Sequence, residues 1–171
     1  DTITGFPIKK VTHQGYADNS TWARGQAWSV YGFTMAFRET KHRPFLVTAM
    51  DAADLFLKRL PKDGIPYWDF DDPAIPKAPK DVSAATIVAS ALLELSTLCD
   101  DSTKRKNYFE NATQILNALS TNYYQSNQQN HAMLLSSTGN KPVNKDVDVP
   151  IIYADYYFLE ALMRYKKFTR K

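Results

Sequence analysis

The stretch SAATIVASALLELSTL, residues 83–98, reads as a helix with almost no polar side. Ala84, Ala85, Ile87, Val88, Ala89, Ala91, Leu92, Leu93 and Leu95 are spread all round the turn. A helix that is apolar all round is one that is buried all round. Asp81 or Ser83 stands where a side-chain oxygen can meet the free N–H groups of its first turn. On either side the sequence changes character. Residues 44–60 set Ala49, Ala52, Ala53, Phe56 and Leu60 on one stripe, Thr48, Asp51, Lys58 and Arg59 on the other, and Pro44 in the first turn. Residues 102–120 place Tyr108, Ala112, Ile115, Leu116 and Leu119 beneath Lys104, Arg105, Glu110 and Gln114. Both spacings predict one-sided outer helices. Residues 22–39 and 150–167 return to a largely apolar pattern and read, like the central segment, as buried.

The predicted order is therefore buried, exposed, buried, exposed, buried, an all-α chain. An open solenoid of helical hairpins produces this order, and so does a closed toroid with an inner ring of helices inside an outer one. A solenoid repeats at a fixed period of about 34–45 residues, and no such period is found. Short links join each buried segment to the exposed one after it, at residues 40–43 and 99–101. Long links lead back: residues 61–80 contain five prolines with Tyr67, Trp68 and Phe70, and residues 121–149 contain two short candidate strands. If the buried helices run parallel, these long links gather at one end, where binding sites usually lie.

A chain of 171 residues fits one domain on a scale of roughly 100–200 residues per domain. Its 44% hydrophobic and 23% charged residues exclude fibrous and long disordered classes. The 21 Lys and Arg against 18 Asp and Glu are dispersed, which argues against a nucleic-acid partner. The one basic concentration, residues 164–171, reads as a solvated last helical turn. No run of about 18 apolar residues is long enough to span a membrane, and the start lacks the charged and apolar regions of a signal peptide. Cys99, the single cysteine, has no disulfide or metal partner by spacing and reads as a small apolar residue.

Polar and aromatic residues concentrate in His13-Gln14-Gly15-Tyr16-Ala17-Asp18 and Thr21-Trp22-Ala23-Arg24-Gly25-Gln26-Ala27-Trp28. Arg24 falls in the first turns of an apolar helix, where an unpaired guanidinium is costly to bury. It needs an anion: Asp18 or another protein carboxylate, or the carboxylate of a ligand. Arg24, Trp28 and Tyr31 share one helix face. A sugar stacked on Trp28 with its carboxylate held by the planar fork of Arg24 makes a coherent uronic acid site. Gly25, Ser29, Gly32 and Ala36 form a stripe of small residues open to close approach by another backbone. Asp69, Asp71 and Asp72 read as turn formers, and Asp146 and Asp148 as caps for the last helix. No nucleophile–base pair, phosphate loop or multi-His set can be assembled.

These strings, together with Asp63-Gly64-Ile65-Pro66-Tyr67-Trp68-Asp69-Phe70, Ser90-Ala91-Leu92-Leu93-Glu94-Leu95 and Asp148-Val149-Pro150 through Tyr157-Phe158-Leu159-Glu160-Ala161-Leu162, resemble the C-terminal half of the unsaturated glucuronyl hydrolases, glycoside hydrolase family 88. The resemblance runs through nearly the whole chain in order. It implies an (α/α)6 toroid of the six-hairpin glycosidase type, of which residues 1–171 are the C-terminal portion of a single domain. It also implies removal of a 4,5-unsaturated uronic acid from the non-reducing end of lyase-generated oligosaccharides. An aspartate hydrates the double bond, and neither a metal nor an organic cofactor takes part. Members belong to the bacterial periplasm or cytoplasm.

By the same resemblance, Gln14, Arg24 and Trp28 are substrate contacts, His13 adjoins them and Tyr153 lines the site. The family's important aspartates match nothing from Asp1 onward, so the general acid/base is expected upstream and this chain alone is expected to be inactive. The alternative is a non-catalytic helical-repeat module binding an acidic glycan or a protein. An incomplete toroid also leaves apolar helix faces open to association.

Overall fold

The computed structural model describes residues 1–125 and 131–170. Among these residues five α-helices form: α1 (Ala23–Thr40), α2 (Arg43–Arg59), α3 (Val82–Leu98), α4 (Ser102–Ala118) and α5 (Ile152–Thr169). Leu119–Tyr123 widens the end of α4 into a π turn. The strands β1 (Ser137–Asn140) and β2 (Lys145–Val149) pair antiparallel, with Thr138 opposite Val147 and Asn140 opposite Lys145.

The all-apolar central segment becomes the middle of the molecule. Asp81 caps α3 by accepting from the Ser83 N–H, and every residue of the helix except Glu94, Thr97 and Leu98 is buried. Helices α1 and α5 flank it, while α2 packs behind α1 and α4 behind α3. Side-chain pairs fix the directions. At one end the Arg24 guanidinium of α1 meets Asp81 before α3 and lies 5.4 Å from the Tyr153 ring at the start of α5. At the other, Glu94 of α3 accepts from Arg38 of α1 at 2.7 Å and from Arg164 of α5 at 2.9 Å. The three inner helices are therefore parallel, and the long links collect at their N-terminal end. Midway, the Tyr31 hydroxyl donates to Glu160 at 3.0 Å, joining α1 to α5 directly.

The outer helices are held by a smaller polar cluster. Tyr108, fully buried, donates its hydroxyl to Asp54 at 2.7 Å, and Lys104 reaches the same carboxylate at 2.6 Å. Cys99 is buried against the Met50 sulfur at 3.4 Å, a packing role.

Three expectations are corrected. Helices α1 and α5 are not buried on most sides, because only α3 has inner neighbours on both flanks. A groove of about 190 Å³ lined by Trp28, Ser29, Gly32, Phe33 and Ala36 opens on α1, and nothing lies within 4 Å of where a Gly32 Cβ would stand. On α5, Ile152, Tyr156, Leu159, Leu162 and Met163 are exposed. The basic C-terminal stretch is not simply solvated either: Arg164 bridges Glu94 and donates to the Ser90 carbonyl at 2.7 Å. Lys171 lies outside the described residues. Finally, Asp146 and Asp148 do not cap α5, whose N-cap position is Ile151 with no side-chain bond.

Leu92 is fully buried, so Leu92→Ala should cost about 2–5 kcal/mol of unfolding free energy, measured by urea titration. Burial and the Glu160 carboxylate push the Tyr31 hydroxyl up from 10.0 to about 12, and burial with Asp54 raises that of Tyr108. Each contribution is intact below the ordinary tyrosine value and is lost as pH rises through the raised one. Tyr108→Phe should therefore lose about 1 kcal/mol at neutral pH, yet decline less steeply than the parent chain above pH 10. Parallel declines in urea titrations would refute this.

Candidate functional site

Because α1, α3 and α5 run parallel, their first turns and the loops before them face one another. Residues 61–80 fold back as a narrow ribbon, with the Trp68 N–H on the Pro79 carbonyl and the Asp81 N–H on the Pro66 carbonyl. The ribbon pairs with the entry to α1, where the Ala23 N–H donates to the Trp68 carbonyl and the Phe70 N–H to the Thr21 carbonyl, each at 3.0 Å. From the other side the hairpin is tied to α3 by the Val82 N–H on the Ser136 carbonyl.

Arg24 stands at the centre of this end, 4% exposed. Its Nη1 donates to Asp81 Oδ2 at 2.9 Å and to the Thr138 carbonyl at 2.6 Å, with Ser83 Oγ at 3.2 Å; its Nη2 donates to the Gly139 carbonyl at 2.5 Å. The internal anion is thus Asp81, and Asp18 instead accepts from the Thr12 N–H within its own loop. Asp81 is wholly buried and also accepts from the Ser83 and Thr138 N–H groups and from Ser83 Oγ. Burial pushes its carboxyl up, and Arg24 and these donors pull it back. The Nε–H of Arg24 and the second proton of Nη2 meet no acceptor among the described residues. Two donors on one edge of the guanidinium are thereby left for a planar anion.

The other expected residues fall around this edge unequally. Gln14 Nε2 donates to the Gly139 carbonyl at 3.0 Å, sharing it with Arg24. Gly139 admits no side chain, since a Cβ there would stand 2.8 Å from the Asp146 Cβ. Tyr153 is half-buried beside the Arg24 guanidinium, and burial raises its hydroxyl pKa while Arg24 opposes the rise. Trp28 sits one turn deeper, its ring 5.1 Å from Tyr157 and 6.1 Å from Tyr31, both edge to face. His13 is exposed and has no hydrogen bond among the described residues. The Thr138 and Gly139 carbonyls were not foreseen, because a carbonyl donates nothing to a motif. Asp81 was visible only as a helix cap.

This end offers fixed donors and aromatic walls. Arg24, Gln14, Tyr153 and Trp28 present hydrogen-bonding groups and ring faces, and none of them is a carboxylate or an imidazole. The arrangement suits an anionic group on a partly apolar ring.

No family model matches the chain. Individual proteins do. It is 51% identical over 168 residues to an unsaturated glucuronyl hydrolase of Formosa agariphila, covering 96% of this chain and 41% of that one. An unsaturated chondroitin disaccharide hydrolase of Streptococcus pyogenes serotype M1 is 39% identical over 171 residues, covering 98% and 42%. The crystal structure of an unsaturated glucuronyl hydrolase specific for heparin superposes with a TM-score of 0.95 at 41% identity, over 100% of this chain and 46% of that one. The chain spans somewhat under half the length of the curated relatives it matches. Its five helices have the helical toroid fold of these structures. Since sequence and backbone agree from end to end, the chain belongs to the unsaturated glucuronyl hydrolase family.

Proposed function

We propose that residues 1–171 are the C-terminal portion of a single (α/α)6 domain and supply the substrate-holding side of a glycoside hydrolase. Its substrate is a lyase-generated oligosaccharide with a 4,5-unsaturated uronic acid at the non-reducing end. The observation that carries this reading is the divided use of Arg24. One part of its guanidinium is spent on Asp81 and two carbonyls, which fixes the plane, and Nε with the second Nη2 proton meets no acceptor among the described residues; in this reading that edge takes the ligand. A uronate carboxylate is planar and takes two parallel N–H bonds from such an edge. Gln14 has its Nε2 anchored on Gly139, which leaves its carbonyl oxygen to accept from a sugar hydroxyl. Tyr153 walls the carboxylate end, Trp28 offers an apolar face to the ring, and His13 stands at the rim.

Hydration of the double bond needs a proton delivered to the ring and a water activated beside it. In this reading an aspartate does both, as the family resemblance implies, and it is expected upstream of Asp1 rather than among Arg24, Gln14, Tyr153 and Trp28. The chain alone then binds an unsaturated disaccharide without consuming it.

The test is a titration of the 171-residue chain with unsaturated chondroitin disaccharide, followed by nuclear magnetic resonance and by ultraviolet absorbance of the conjugated double bond. Backbone shifts near Gln14, Gly139 and Tyr153 with undiminished absorbance are expected; steady loss of absorbance would show a proton donor on the chain and overturn the assignment. Arg24→Ala is a poor probe because it strands the buried Asp81 carboxylate, at about 3–5 kcal/mol. Arg24→Lys keeps a charge for Asp81 and gives up the fork. It should weaken disaccharide binding by about 2–3 kcal/mol while the chain stays folded, and an unaltered affinity would confine Arg24 to its internal role.

A further inference from the structure

We infer that Asp69 is a positioning residue for this site: its buried carboxylate fixes the loop of residues 12–20, so that Gln14 meets the same Gly139 carbonyl that Arg24 holds. The inference rests on the functional reading above and adds to it a residue from outside the pocket. The Asp-rich stretch after Trp68 reads in sequence as turn chemistry, and for Asp72 that is adequate, since it accepts from the Ala74 N–H at 2.8 Å. Asp69 does something else. It is 0% exposed and has no ion-pair partner among the described residues, for the nearby Arg59 is committed to Asp71 and Thr21.

In place of a counter-ion it has three donors. Oδ2 accepts from the Tyr16 N–H at 2.8 Å and from Ser20 Oγ at 2.7 Å, and Oδ1 accepts from the Asp71 N–H at 2.9 Å. Two of the three come from residues roughly fifty positions earlier, in a segment with no helix or strand to hold it. Apart from the Gln14 bond to Gly139, the loop's other polar contacts close on itself: Thr12 N–H on Asp18, Gly15 N–H on Thr12 Oγ1, Ala17 N–H on Ser20 Oγ. Asp69 is thus its main polar anchor to the body. The fit is close, since a Cβ on Gly15 would stand 3.3 Å from Asp69 Oδ2 and 2.6 Å from Thr12 Oγ1.

The same residue is tied to the entry of α1 by its bridge with Trp22. Asp69 therefore references both, the loop that carries Gln14 through its carboxylate and the turn that carries Arg24 through the backbone bridge on either side of it. An ionised carboxylate accepts at both oxygens, whereas an amide turns one end into a donor. Asp69→Asn must set N–H against N–H at one side or rotate and lose the other.

The experiment uses the 171-residue chain labelled with nitrogen-15, as Asp69→Asn, as the milder Ser20→Ala, and as Asp63→Asn. Asp63 is an acid of the same ribbon, paired with Lys80 at 2.8 Å away from the loop. In Asp69→Asn, exchange of the Tyr16 amide should speed by at least about tenfold, the loss of one bond to a charged acceptor. The Gln14 side-chain amide signals should move, the α3 amides should not, and affinity for unsaturated chondroitin disaccharide should fall by a similar factor. Ser20→Ala should change the same signals less, and it decides the matter if Asp69→Asn does not fold. Asp63→Asn should leave Tyr16 and Gln14 alone. Unchanged Tyr16 and Gln14 signals would overturn the inference, and so would altered signals with unaltered disaccharide affinity. A parent chain that binds no disaccharide counts against the functional reading, while Tyr16 and Gln14, read without sugar, still judge the anchor.

Discussion

The arrangement depends on one buried ion pair. Arg24 and Asp81 lie between the first turns of two helices, out of water, where either charge alone is untenable. Their attraction does not by itself repay that burial. It is the surrounding hydrogen bonds that make the pair tolerable: two hairpin carbonyls on the guanidinium, two backbone N–H groups and a serine hydroxyl on the carboxylate. Each of those partners is fixed in turn. The pair thereby registers α1, α3 and the hairpin against one another and holds the guanidinium in a fixed plane.

Much of this was legible in the sequence, and for physical reasons. Periodicity reports how many sides of a helix meet apolar neighbours, so α3 was recognisable from its lack of a polar face, and α2 and α4 from their single stripes. The helix ends fell within two residues of the expected positions because prolines, caps and short links mark them. The same signal misled for α1 and α5. Their composition records the burial suited to a closed ring, whereas the described helices have inner neighbours on one flank only.

The site was legible in its donors and not in its acceptors. Arg24 in an apolar helix announces a need for an anion, and Trp28 and Gln14 cluster near it in sequence. That the internal anion is Asp81, 57 positions away, follows only from the parallel packing that returns α3 to the start of α1. Thr138 and Gly139 contribute main-chain oxygens, which every residue possesses, so no residue type marks them. Asp69 was hidden differently: a buried carboxylate serving N–H groups has the same local sequence as an exposed turn.

The winding of the helices also bears on how the chain folds. Two of the large contact surfaces join successive helices, α1 with α2 and α3 with α4, whereas α3 meets α1 and α5 across long stretches of chain, 57 positions from Arg24 to Asp81 and 70 from Ser90 to Glu160. The two local pairs close short loops early, and the long-range surfaces of α3 carry the larger loop-closure cost. Helix α3 is the exception that sets the order, since α1 and α5 share little surface except through it. Two hairpins can therefore form separately, but they become one body only when α3 docks, and the Arg24–Asp81 pair is enclosed in that step.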